Sequence, residues 1–241
     1  MRRALVALLA VGVLGLGTAC LDLSGRTHNG VAPGAEAITV RTADNRPLDA
    51  RLWMRDPTRL VIYLHEYQRT QRDWWDEAAR GLPGDPSTMT LDLRGHGDSG
   101  GDHLDFNLMA GDVRMVIADA RSRGYQRIAL VGAGLGGTVG VLVAREEPAV
   151  TVVGLSIPAD FGGLDALDAA PAISGRLAIV ASQDDLSARE SLERIARTAP
   201  LDGARALLLP GRAHGRAVLT ADAEGPARRL MRETFDRAWR Q

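Results

Sequence analysis

A chain of 241 residues with 29 basic and 30 acidic side chains and a formal charge of −1 is long enough for one α/β domain with a full core, and it offers no basic field for nucleic acid. Every basic side chain is arginine, which excludes lysine-based chemistry. The single cysteine, Cys20, excludes an internal disulfide, and no His, Asp and Glu residues stand at metal-ligand spacing such as H-E-x-x-H, so neither a metal nor a cofactor is expected.

Arg2 and Arg3 open the chain, residues 4–16 form an apolar run, and Gly17, Thr18 and Ala19 precede Cys20. The run is shorter than the roughly 20 residues that span a bilayer, but it fits a signal peptide. The stretch Leu16-Gly17-Thr18-Ala19-Cys20 resembles a bacterial lipoprotein signal, with the leucine one position further from the cysteine than usual. That resemblance implies cleavage after residue 19, acylation of Cys20, and display on the outer side of the cell membrane or in the envelope. An ordinary signal peptide cleaved nearby is the alternative. Two or more acyl chains would hold the protein firmly, since each buried methylene contributes about 0.8 kcal/mol. Removing residues 1–19 leaves 222 residues, and the charge moves to −3 because Arg2 and Arg3 are lost. Residues 20–35 read as a polar, Gly-rich tether, and residues 36–241 as one domain.

Alternating apolar residues over 37–40 and 48–54, with Asp44-Asn45 between them, predict a β-hairpin. From Leu60 onward, short apolar runs alternate with helix-period segments, the βαβ pattern of a parallel sheet covered on both faces. The runs are residues 60–64, 89–93, 128–131, 152–155, 177–181 and 206–209. Helical stripes are formed by Trp75, Ala78, Ala79 and Leu82, by Met109, Val113, Val116, Ile117 and Ala120, and by Ala227, Leu230, Met231, Thr234, Phe235 and Ala238. About 20 residues separate the fourth and fifth parallel runs, too few for a large lid. The fold class expected is α/β, a mostly parallel sheet with helices on both faces and an N-terminal hairpin.

The fifth strand, Ile128-Ala129-Leu130-Val131-Gly132, is followed by Ala133-Gly134-Leu135-Gly136-Gly137 and a helix expected over 138–146. The glycines of such a turn serve strain and close packing. The same residues satisfy a G-x-G-x-x-G phosphate cradle, but that turn normally follows the first strand, and an acidic residue ends the next one. Here three parallel runs include or precede it and the next run ends in Leu155-Ser156, so no dinucleotide is expected.

The strand–turn–helix resembles the G-x-S-x-G nucleophile elbow of α/β-hydrolases, with Gly134 where the serine normally sits. Three more stretches carry the resemblance. Asp92-Leu93-Arg94-Gly95-His96-Gly97-Asp98-Ser99 is similar to the D-x-R-G-x-G-x-S turn after the second parallel strand, which implies scaffold roles for His96 and Ser99. Ser182-Gln183-Asp184-Asp185 is similar to the strand end that delivers the triad acid, with Asp185 first and Asp184 in reserve. Gly211-Arg212-Ala213-His214-Gly215 is similar to the loop of the triad histidine. The resemblance covers about residues 57–220 and is nearest the small, lidless, dienelactone-hydrolase-like and serine-esterase members.

Glycine cannot form an acyl-enzyme. The resemblance places the two oxyanion donors on the backbone N–H groups of Tyr67 and Leu135. His65 is expected to be structural. Glu66 is expected to face solvent; turned inward, it would oppose developing negative charge. Thr138 should lie a turn down the helix, and Ser156 should shape the pocket rather than attack. Trp74 and Trp75 are expected to pack, and His28 and His103 to be incidental. The implied function is a non-catalytic or very weak ester-hydrolase homologue that binds a small acyl or ester-like ligand or a protein partner. The alternative is a hydrolase of small esters or lactones in which His214, aided by Asp185, activates water. A structural envelope protein with a filled cleft is a third reading.

Overall fold

Period-two alternation becomes two adjacent strands in the computed structural model, which describes residues 28–201, 205–220 and 225–240. β1 (Glu36–Arg41) and β2 (Pro47–Trp53) form the expected antiparallel hairpin, and Asn45 at its turn takes a positive φ of 62°. Then come β3 (Arg59–Leu64), α1 (Trp75–Arg80), β4 (Ser87–Leu91), α2 (Phe106–Ser122), β5 (Arg127–Ala133) and α3 (Leu135–Glu146). The chain continues through β6 (Thr151–Leu155), the short pair β7 (Asp160–Phe161) and β8 (Leu164–Asp165), and α4 (Ala166–Ala169). It ends with β9 (Leu177–Ser182), α5 (Leu186–Thr198), β10 (Ala206–Leu209), α6 (Ala217–Thr220) and α7 (Pro226–Trp239).

Eight strands form one sheet in the order β1-β2-β4-β3-β5-β6-β9-β10, parallel from β4 to β10. Within β3, Leu60, Ile62 and Leu64 enter one core with α2, α3 and α5. Val61 and Tyr63 enter the other with α1, α6 and α7. Consecutive side chains point to opposite faces, so a strand buried on both sides must be apolar throughout, as the runs are. The short β7–β8 pair and α4 occupy the span between β6 and β9, and no large lid is built there.

Three expectations need correction. The second parallel strand stops at Leu91 because Asp92 turns into a buried hydrogen-bond network. The helix after β5 starts at Leu135 rather than residue 138, which makes the turn tighter. The end of the expected tether is fastened to the domain: Asn29 and Ala32 are buried, the Asn29 amide donates to Asp92, and His28 Nδ1 pairs with Asp98 at 2.5 Å. Trp53 Nε1 donates to the carbonyl of Pro33 at 3.0 Å. Paired polar groups and a buried alanine override the local composition. Cys20 and the signal residues lie outside the described residues. Among those described, no helix is long and apolar enough to cross a membrane.

Candidate active-site cleft

Gly134 sits between β5 and α3 with φ 49° and ψ −122°, a conformation that is strained for any residue with a Cβ. Its N–H donates to Leu155 O at 3.0 Å. The flanking glycines are required by contact. A Cβ on Gly132 would lie 2.4 Å from the backbone of Gly136, and one on Gly136 would lie 2.6 Å from the carbonyl oxygens of Leu64 and His65. A Cβ on Gly134 would meet no backbone so closely; its nearest neighbour is Glu66 Cγ at 3.3 Å. Space for a side chain is therefore limited by one flexible residue.

The loops after β9 and β10 bring Asp185 and His214 together. His214 Nδ1 donates to Asp185 Oδ2 at 2.6 Å. The Asp185 side chain is 10% exposed and that of His214 51%. Asp185, not Asp184, is therefore the partner of His214; the Asp184 N–H donates to Gly211 O at 2.9 Å. The other ring nitrogen, Nε2, lies 3.9 Å from Glu66 Oε2.

Glu66 contradicts the expectation that it faces solvent. Its Oε1 accepts from the Arg216 backbone N–H at 3.0 Å, and its carboxylate packs on Gly215. A Cβ on Gly215 would fall 1.9 Å from that oxygen, and Gly215 also holds φ 54°. The His214 loop is thus shaped to receive the Glu66 side chain. Two carboxylates consequently flank the imidazole, one at each nitrogen.

These groups line a cleft of about 270 Å³, with Tyr67, Leu135, Ser156, Phe161 and Ser191 on its walls. The cleft is open, so Glu66 occupies the Gly134 end without filling it. Leu135 is the first residue of α3, where the N–H has no partner within the helix. Tyr67 lies in the turn closed by Arg69 N–H to Glu66 O at 3.1 Å, and its ring meets His103, Phe106 and Phe161. Ser156 has φ 49°, is buried, and its hydroxyl has no hydrogen-bond partner, His214 included. Thr138 is engaged elsewhere, donating to Pro158 O at 2.9 Å. Phe161, Ser187 and Ser191 were not singled out from sequence, because only the fold carries them to the rim.

The remaining candidates are scaffold. His65 Nε2 accepts from Leu93 N–H at 3.0 Å, and burial beside His96 pushes its pKa down to about 3, so it is neutral. Burial also lowers His96, which is tied to the Arg94 carbonyl. The Ser99 hydroxyl donates to Asp92 O and accepts from Asp49 N–H. Trp74 is buried and stacks on Tyr63 at 4.9 Å, while Trp75 is half-buried against the second core. One grouping has no spacing signal in the sequence: carboxylate oxygens of Asp49, Asp92 and Asp98 lie within 4.8 Å of one another. Asp49 bonds Arg51, Asp92 accepts from Gln71 and Asn29, and Asp98 bonds His28, so nitrogen donors balance the cluster.

No protein-family model matches the chain, and no curated protein matches it. Solved structures do. An esterase from Pyrococcus furiosus superposes with a TM-score of 0.66 at 16% identity, over 84% of this chain and 92% of that one. A serine hydrolase without a lid from Xanthomonas campestris gives 0.62 at 17%, over 84% and 96%. An α/β-hydrolase from a Penicillium species gives 0.72 at 14%, over 85% and 98%. Taken with the mostly parallel sheet and its two helical layers, these likenesses show that the chain has the α/β-hydrolase fold.

Proposed function

We propose that this chain is an exported, lipid-anchored α/β-hydrolase-fold protein that binds a small acyl or ester-like ligand, and that serine-based turnover is lost because Gly134 stands at the nucleophile position. The observation that carries this reading is the Glu66 carboxylate. The Cγ of that side chain lies 3.3 Å from where a Cβ on Gly134 would stand, and the carboxylate is held by the Arg216 N–H, accommodated by Gly215 and 3.9 Å from His214 Nε2. A carboxylate held in the cleft that Tyr67 and Leu135 also line opposes a developing oxyanion, so it disfavours acyl transfer. The open cleft, with the aromatic wall of Tyr67 and Phe161 and hydroxyls at Ser156 and Ser191, suits a small ligand with a carbonyl. The esterase and serine-hydrolase neighbours favour that ligand class by analogy of fold. Acylation at Cys20 would place the domain on the outer face of the membrane.

A second reading rests on the His214–Asp185 hydrogen bond. An imidazole so oriented can take a proton from water at Nε2, giving general-base hydrolysis without a covalent intermediate. Turnover of a short-chain activated ester by wild type, Gly134→Ser and His214→Ala, beside calorimetric binding of a slowly reacting ester, tests both. A silent wild type that binds the ester, with turnover gained in Gly134→Ser, supports the first reading. Wild-type turnover abolished by His214→Ala replaces it with the second. A wild type that neither binds nor turns over esters overturns both.

A further inference from the structure

The four strands that deliver Gly134, Ser156, Asp185 and His214 at their C-terminal ends carry a second concave site at their N-terminal ends. β5 begins with Arg127, β6 with Thr151, and β9 and β10 directly follow Arg176 and Arg205. These strands are neighbours in the order β5-β6-β9-β10 and run parallel, so the residues before them converge on one edge. The C-terminal turn of α7 covers that edge with Arg237 and Trp239. The result is a pocket of about 280 Å³ on the side of the sheet opposite the cleft.

Four arginines line it, and among the described residues no carboxylate does, in a chain whose formal charge is −1. Elsewhere the arginines are heavily paired: Arg59 with Asp56, Arg94 with Asp44 and Asp112, Arg114 and Arg121 with Glu147, and Arg228 with Glu77. Among the described residues, Arg127, Arg176 and Arg237 form no ion pair. Arg176 donates instead to the carbonyls of Ala144, Glu147 and Val150, which fixes its guanidinium at the pocket wall. Burial without a counter-charge pulls its pKa below the ordinary value. Arg205 donates to the carbonyls of Ser174 and Pro200. The Trp239 indole N–H is buried without a hydrogen-bond partner in the same wall. The guanidinium groups of Arg127, Arg176 and Arg237, gathered at one pocket without an ion pair among the described residues, match the planar, multidentate geometry of phosphate oxygens.

We propose that this pocket binds the phosphate group of an organic phosphate, with Arg127, Arg176 and Arg237 on the phosphate and the Trp239 side of the pocket against the attached organic group. The same phosphate chemistry is presented by a soluble phosphomonoester and by an anionic lipid headgroup. Neither requires the cleft, so the proposal stands or falls apart from the ester-binding reading.

The test is calorimetric titration of the full chain with phenyl phosphate and with inorganic phosphate, beside sedimentation with phosphatidylglycerol or phosphatidylcholine vesicles. The variants are Arg127→Gln/Arg237→Gln and a charge-matched control, Arg197→Gln/Arg229→Gln, with thermal melts to confirm folding. One saturable site for phenyl phosphate, tighter than for inorganic phosphate, is expected. It should weaken about tenfold or more in the first variant and hold in the control. The same pattern seen only with phosphatidylglycerol vesicles assigns the phosphate to a lipid. Absence of binding to phenyl phosphate and to phosphatidylglycerol vesicles alike, or equal weakening in both variants, overturns the proposal.

Discussion

The Glu66 carboxylate lies 3.9 Å from His214 Nε2, on the side of the ring opposite the 2.6 Å bond to Asp185. Glu66 belongs to the loop after β3 and His214 to the loop after β10, so the relationship exists only because the sheet brings two strand ends together. It places an acceptor where the proposed reading expects a nucleophile.

Restoring serine alone should therefore give measurable but weak turnover. In Gly134→Ser the new Cβ meets Glu66 Cγ at 3.3 Å, and the hydroxyl competes with a carboxylate for His214. We expect Gly134→Ser/Glu66→Gly to hydrolyse an activated acetate ester about 100-fold faster than Gly134→Ser, since a triad acts as a unit. Equal rates for the two variants would show that Glu66 is not the obstruction.

Gly215→Ala should destabilise the fold by roughly 1–3 kcal/mol, from strain at φ 54° and from a Cβ 1.9 Å from Glu66 Oε1. In a urea-unfolding cycle with Glu66→Ala the two losses should add to more than the double variant loses, because truncating Glu66 removes the clash. Strict additivity would mean that the contact carries no energy.

Glu77 on α1 and Arg228 on α7 form a buried ion pair across the second core, Arg228 Nη2 donating to Glu77 Oε2 at 2.7 Å. Arg228→Met should cost about 3 kcal/mol by leaving the buried carboxylate with only the exposed Arg80, whose Nη1 donates to Glu77 Oε2 at 3.0 Å, and Glu77→Leu/Arg228→Met should cost less. Chemical denaturation of the three proteins measures this.

Burial pushes Asp92 up to about 6 despite hydrogen bonds from Gln71, Asp98 and Asn29. Between its ordinary value near 4 and about 6 the folded state holds more protons than the unfolded state, so this group lowers stability as pH rises through that window. His65, pushed down to about 3, works in the opposite direction between about 3 and 6.5, because there the unfolded state holds more protons. The difference between wild type and Asp92→Asn isolates the carboxylate. We expect the stability of Asp92→Asn relative to wild type to improve by roughly 2–3 kcal/mol from pH 4 to pH 7. A pH-independent difference would contradict the raised value.

Much of this architecture was legible in the residues. Continuous apolar runs such as Leu60-Val61-Ile62-Tyr63-Leu64 can be satisfied only by a strand covered on both faces, and the structure covers both. Gly132, Gly134 and Gly136 marked a strained turn that the backbone contains. Spacing within the resemblance favoured Asp185 over Asp184, and Asp185 is the residue that His214 bonds. Periodicity and glycine placement are local, so sequence alone determined the layers and the turn. Tertiary structure decided the rest. Glu66 turns inward because its oxygen is captured by a backbone N–H 150 residues away, and Asn29 is buried because Asp92 and Asp98 receive it. Arg127, Arg176 and Arg237 share a pocket because parallel strands align their N-terminal ends and the last turn of α7 covers them. A side chain's direction in a loop depends on partners that adjacent residues do not specify, and only the packed sheet supplies them.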